Sequence, residues 1–200
     1  VIRSLSIAAV AASLSACALL SSPDPVQMYR FGVQGDRSGA EPAAGAVDVA
    51  VRRITFAEAA EGDRILTVNG TEAAYLAGAR WMEPAPMLFS AALEGAVADR
   101  GGRVRLIGAR DLAQGDLALD VDVPVFETRY GVPGATPSVV ITARARLISL
   151  PGREIVAERT FTVEESTSEN RVGAIVQAYD RGVISVAQDV AGWLEDTAGR

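Results

Sequence analysis

Val139-Val140-Ile141-Thr142-Ala143-Arg144-Ala145-Arg146-Leu147 is the stretch from which the fold is read. Val139, Ile141, Ala143, Ala145 and Leu147 alternate with Thr142, Arg144 and Arg146. Successive side chains of a strand point to opposite faces, so this strand has one apolar face and one polar face. Such a pattern suits an antiparallel sheet with one side against a core and the other in water. Upstream, Leu117, Leu119, Val121 and Val123 alternate with Asp120 and Asp122. Downstream, Ile155, Ala157, Phe161 and Val163 alternate with Glu154, Glu158, Thr160 and Thr162. Arginines on the middle strand and acids on both flanks predict neighbouring strands with cross-strand ion pairs. Exposed pairs contribute about 0–1 kcal/mol, so the pattern reports strand order rather than stability. A hairpin over Leu150-Pro151-Gly152 is expected to place Leu147 and Ile155 on one face. Glu158 should then lie opposite Arg144 or Arg146.

Working outward, the alternation of Val47, Val49 and Val51 predicts a strand over 46–54, and two more are expected over 64–68 and 72–77. Asn69-Gly70 between the latter two is a hairpin signal. Glu83-Pro84 opens a helix with Leu88, Ala92, Gly95 and Phe89, Leu93, Val97 at i, i+4 spacing. Gly101-Gly102 ends that helix, and 104–107 reads as a short strand. Ser166-Thr167-Ser168-Glu169 matches a capping box. It precedes a stripe of Val172, Ile175, Val176, Tyr179, Val183, Val186, Val190, Trp193 and Leu194, the mark of a long amphipathic helix. Its polar face mixes Gln177, Asp180, Arg181, Gln188 and Asp189. Packing on the sheet suits that face better than a membrane surface, which would call for basic residues. The expected fold is therefore α+β in two layers, a mainly antiparallel β-sheet with two amphipathic helices packed on one face.

At the N-terminal side, Leu14-Ser15-Ala16-Cys17 follows an apolar run from Leu5 to Ala12 and the charge of Arg3. This order predicts a lipoprotein signal peptide over 1–16, with Leu14, Ser15 and Ala16 as the lipobox and Cys17 as the site of lipid attachment. A run of about a dozen apolar residues is too short to span a bilayer, which needs about 20. More than one acyl chain on Cys17 would make a stable membrane anchor. Ala18, not Asp, follows the cysteine. By analogy with enteric bacteria this favours a periplasmic protein held on the inner leaflet of the outer membrane. Residues 17–44 read as the lipidated N-terminus and a flexible tether, turn-rich at Ser21 to Pro25 and polar from Gly35 to Pro42, with a short strand allowed at Tyr29-Arg30-Phe31. Fully extended, such a linker of roughly 27 residues reaches about 90–100 Å. Residues 45–200 are expected to form a single periplasmic domain.

Composition removes whole chemistries. The chain has 25 acidic and 19 basic residues, a formal charge of −6, one cysteine and no histidine, and every basic residue is arginine. Removing 1–16, with Arg3, takes the charge to −7. No Ser-His-Asp triad, Cys-His pair, His-ligated zinc or lysine Schiff base can be built. No metal or cofactor is expected. A Gly-Lys-Ser/Thr phosphate loop is absent, so the chain is not itself a P-loop ATPase. An acidic chain without a basic cluster is also a poor nucleic-acid binder. Paired carboxylates of the glycosidase type are what is left for catalysis, and they must face one cleft. Glu164 and Glu165 are adjacent in a strand and point apart, and Glu83 and Glu94 would need the fold to bring acids to them. The expectation is a protein that is not an enzyme.

Tyr29-Arg30-Phe31 follows the cysteine, and Tyr75-Leu76-Ala77-Gly78-Ala79-Arg80-Trp81-Met82-Glu83-Pro84-Ala85-Pro86-Met87-Leu88 follows the Val-rich strand. A Tyr, then Arg-Trp-x-Glu-Pro-x-Pro opening a helix, resembles the ABC-type transport auxiliary lipoproteins, the PqiC-like family. The resemblance covers roughly residues 17–196 and extends to the three-strand meander and closing helix. It implies a non-catalytic component working beside an Mce-domain protein, a permease and an ATPase, which together move lipids, or solvents, across the envelope. It singles out Tyr75, Arg80, Trp81, Glu83, Pro84 and Pro86 as family-motif or partner-contact residues. A Trp before a helix also packs naturally on a core, and a proline there fixes the helix entry. Self-association is left open. The alternative from a different class is an envelope assembly factor that helps peptidoglycan synthases or outer-membrane insertion.

Overall fold

The computed structural model describes residues 26–32, 41, 43–108 and 115–198. The lipobox Leu14-Ser15-Ala16 and Cys17 lie outside the described residues. Eight strands and two helices follow in the order β1 (Gln27–Tyr29), β2 (Val47–Phe56), β3 (Arg64–Asn69), β4 (Glu72–Trp81), α1 (Ala85–Arg100), β5 (Val104–Ile107), β6 (Leu117–Tyr130), β7 (Ser138–Ser149), β8 (Glu154–Ser166) and α2 (Val172–Ala198). The α+β class holds. No described helix is long and apolar enough to cross a membrane.

The sheet branches at β6. One edge of β6 pairs antiparallel with β7, and β7 with β8. On the other edge β2 runs parallel to the first half of β6, ending at Phe56↔Val123, and β3 runs parallel to its end from Thr67↔Thr128. β5 extends the first branch in parallel, while β4 (antiparallel) and then β1 (parallel) extend the second. The long meander ladders are antiparallel as expected, but the sheet as a whole is mixed. Pro124 sits at the fork, where the β6–β7 register also shifts by one residue. A proline has no N–H for a ladder and is tolerated at a bulge between two partners.

Bulges keep the apolar side chains inward. In β2 the register shifts between Val51 and Arg53, so Arg52 and Arg53 stay off the core and Phe56 enters it. In the β7–β8 ladder, Leu147 pairs with Ala157 but Ile148 pairs with Ile155, which leaves Val156 as the extra residue. This overturns the expectation that Leu147 and Ile155 share a face: Leu147 is fully buried and Ile155 is 56% exposed. Glu158 pairs with Arg146, and Arg144 with Asp122 at 2.7 Å.

Both helices cover one face. Leu88, Phe89, Ala92, Leu93, Ala96 and Val97 of α1 are buried, as is the stripe Ile175, Tyr179, Val183, Val186, Val190 and Leu194 of α2. Gly101 closes α1 in the left-handed conformation, φ 54°. α2 is tied to the start of β5 by Glu195, whose carboxylate accepts the N–H groups of Arg103 and Val104 at 2.9 and 3.0 Å. The expected capping box does not form. Ser166 ends β8, and both the N–H and the hydroxyl of Thr167 donate to the Pro137 carbonyl. The loop bond outcompetes the cap, so α2 starts at Val172.

The expected tether needs a second correction. Residues 26–32 belong to the folded unit: β1 pairs with Ala79, Arg80 and Trp81, and Phe31 is buried. Gly32 lies between the helices, its N–H donating to Asp180 Oδ1 at 2.7 Å. Its φ of +70° and the nearness of Ala92, 2.5 Å from where a Cβ would stand, both demand glycine.

Candidate functional site

The motif residues converge on one corner, where β4 turns into α1. Trp81 is 1% exposed and stands in an aromatic cluster, edge-on to Phe31 at 4.8 Å and to Tyr179 at 5.1 Å, with Phe126 at 6.4 Å. Edge-to-face rings at these distances add to the burial energy. The Tyr179 hydroxyl donates to the Leu66 carbonyl at 3.4 Å and accepts from Thr128 at 3.3 Å. Complete burial of that phenol pushes its pKa up. Trp81 is thus a core residue that fixes the corner from inside.

The remaining motif residues fasten the corner to the β2–β3 loop. Tyr75 donates its hydroxyl to the Ala59 carbonyl at 3.1 Å and carries the Arg64 guanidinium over its ring at 3.7 Å. Arg80 Nη1 donates to both carboxylate oxygens of Asp63, at 2.9 and 3.0 Å. The Trp81 N–H donates to the Asp63 carbonyl at 2.7 Å, and the Ala85 N–H to Gly62 at 3.1 Å. Pro84 is the N-cap of α1, with Pro86 in its first turn, where a missing N–H costs nothing. Glu83 and Pro84 are exposed. The corner is held by these hydrogen bonds and the Arg80–Asp63 ion pair, and it presents Met82 and Met87 outward, both more than half exposed. Sequence reasoning passed over these two methionines because it followed the charged and aromatic letters between them.

Elsewhere the outer face of the sheet carries rows of charge. Glu158, Arg146, Asp120 and Arg53 pair across four strands. Asp120 is 3% exposed and bonded by Arg52, with Nε to Oδ1 at 2.8 Å. The Arg52 hydrogen bonds hold its carboxyl below the usual range against the opposing effect of burial, and the charges of Arg52 and Arg53 add to this. Arg105 lowers Asp48 likewise. These acids are occupied by arginines, not aimed into a cavity. A cleft of about 380 Å³ between α1 and β5 holds one carboxylate, Glu94, and one of about 590 Å³ near Tyr130 holds one, Glu169. Neither brings together the two carboxylates that glycoside hydrolysis uses. Glu164 and Glu165 point apart as expected, to Ser138 and Arg181. Among the described residues no group of three His, Cys, Asp or Glu could hold a metal ion.

With the corner and the meander in place, comparison with a family model decides the family. The model for the ABC-type transport auxiliary lipoprotein component matches residues 29–191. The chain belongs to that family. The matched range begins inside β1, consistent with the first strand being part of the fold. The structure of protein XCC0632 from Xanthomonas campestris, of family DUF330, is similar with a TM-score of 0.71 and 23% identity. That match covers 87% of this chain and 97% of the other. An uncharacterised protein is similar at a TM-score of 0.63 and 14% identity, over 85% and 99% of the two chains. Both likenesses concern the fold alone. No curated protein matches the chain.

Proposed function

We propose that this auxiliary transport component is a lipid-anchored, non-enzymatic protein that works by protein–protein contact in an envelope lipid or solvent transport system. Its partners are an Mce-domain protein, a permease and an ATPase, and its anchor is an acylated Cys17 on the inner leaflet of the outer membrane. The observation that carries the reading is the family match over 29–191. A photo-crosslinking residue on the exposed face of α1, at Glu94, tests the proposal in intact envelopes. Recovery of a permease, ATPase or Mce-domain subunit by mass spectrometry is the expected outcome. Recovery of peptidoglycan synthases or outer-membrane insertion machinery instead would favour the assembly-factor alternative and end this reading. A Cys17→Ser chain should fold, lose its acyl chains and fail to restore envelope lipid balance; full complementation by it would remove the anchor from the mechanism.

A further inference from the structure

From the corner that joins β1, β4 and α1, we infer that this edge of the domain lies against the lipid leaflet that holds Cys17, with the methionines as its contact. The inference rests on acylation of Cys17. Its first support is chain length. Val26, at the edge strand β1, is only nine residue steps from Cys17. Nine steps span at most about 30 Å, a third of the reach expected when 17–44 is taken as linker. A domain on so short a lead cannot stand far from its membrane.

The second support is what surrounds the entry point. Val26, Met28, Met82 and Met87 are 48%, 47%, 51% and 57% exposed. They flank the β1 edge of the domain: Met28 stands in register with exposed Arg80 on the outer face, the Met82 N–H donates to the Tyr29 carbonyl at the end of β1, and Met87 is in the first turn of α1. Scattered exposed apolar side chains are ordinary, but a group of them marks an interaction surface. Methionine is flexible and suits a disordered apolar partner such as lipid.

The third support is charge. The whole chain is acidic and would be repelled by anionic headgroups. The segments 26–32 and 79–87 that carry the methionines hold only Arg30, Arg80 and Glu83 as charged residues, and Arg80 is paired with Asp63. The other exposed apolar group, Leu150, Ile155 and Val156, lies by the opposite edge strand β8. Five strand steps of about 4.8 Å place that edge about 24 Å away. One leaflet facing β1 therefore leaves Ile155 in water.

The test uses the acylated full chain in vesicles of phosphatidylethanolamine and phosphatidylglycerol. Met28→Cys, Met82→Cys, Met87→Cys and Ile155→Cys, one at a time, are labelled with an environment-sensitive fluorophore and quenched by brominated acyl chains. Acylation blocks the thiol of Cys17, so each label is single. Labels at 28, 82 and 87 should lose most of their fluorescence and the label at 155 almost none. In an M82E/M87E background, quenching at 28 should be lost while circular dichroism stays unchanged. Equal, weak quenching at all four positions overturns the proposal, as does protection of 82 and 87 only when a partner protein is added. Mass spectrometry of the N-terminal peptide separates the two possible failures. Acylated Cys17 with unquenched labels ends this inference alone, and unmodified Cys17 ends both it and the anchored reading.

Discussion

The two faces of the meander use the same three strands in opposite ways. On the inner face Leu119, Val121, Ile141, Ala145 and Leu147 are buried under the helices. On the outer face, one residue along, stand Asp120, Asp122, Arg144, Arg146 and Glu158, held in cross-strand pairs. The inner face is stabilised by removal of apolar area from water, roughly 25 cal/mol per Å². The outer face is stabilised by charge in high dielectric, where each pair contributes far less. Neighbouring positions in a strand therefore differ several-fold in the cost of the same change. Asp120 is the exception that bridges them, an outer-face acid with almost no exposure.

Val186→Asp should break the inner face most severely. Val186 is 1% exposed on α2, and an unpaired charge there costs several kcal/mol. Loss of the cooperative thermal transition is expected; an unchanged melting temperature would show α2 undocked from the sheet. Trp81→Ala should follow, at about 3–5 kcal/mol, read as a lowered urea midpoint. A loss of partner recovery with no loss of stability would instead make Trp81 a contact residue.

Gly32→Ala asks whether the first seven described residues share the inner face. Overpacking against Ala92 at a left-handed φ should cost about 1–3 kcal/mol in urea titration. A neutral result would return residues 26–32 to the tether and lengthen the reach from Cys17.

On the outer face, Asp120→Asn should cost about 1–2 kcal/mol, and Arg144→Gln less than about 0.5 kcal/mol. Equal costs would show that burial of Asp120 carries no energetic weight. The pH dependence has a definite sign. Because arginine holds the folded Asp120 carboxyl low, its stabilisation is complete above the unfolded value near ~3.9 and is lost as pH falls through the lower folded value. Asp120→Asn should flatten that acid limb in melts taken between about pH 5 and 2, as should Asp48→Asn to a smaller degree.

Strands and helices are legible in the chain where a single period runs unbroken. β5, the Gly101 stop, the Asn69-Gly70 turn and the arginine strand between two acidic ones are all local patterns, and local sterics and side-chain alternation suffice for them. A core place for Trp81 is legible in the chain, as a Trp set just before a helix. The outward turn of Met82 and Met87 beside it is not.

What amino-acid order alone determined here is which side chains must leave water and at what period. It determined equally which catalytic chemistries lack their residues. Only the tertiary structure decided the parallel pairing of β2 and β3 with β6, the bulges at Arg52, Pro124 and Val156, and the entry of β1 and Gly32 into the core. Those features depend on partners far along the chain, such as Asp180 for Gly32. A bulge shifts the phase of a strand, and at Arg52 and Val156 no special residue type marks the place. A three-residue edge strand such as β1 is too short to carry a period of its own, and its place is set by the free edge of β4 and the aromatic pocket that receives Phe31.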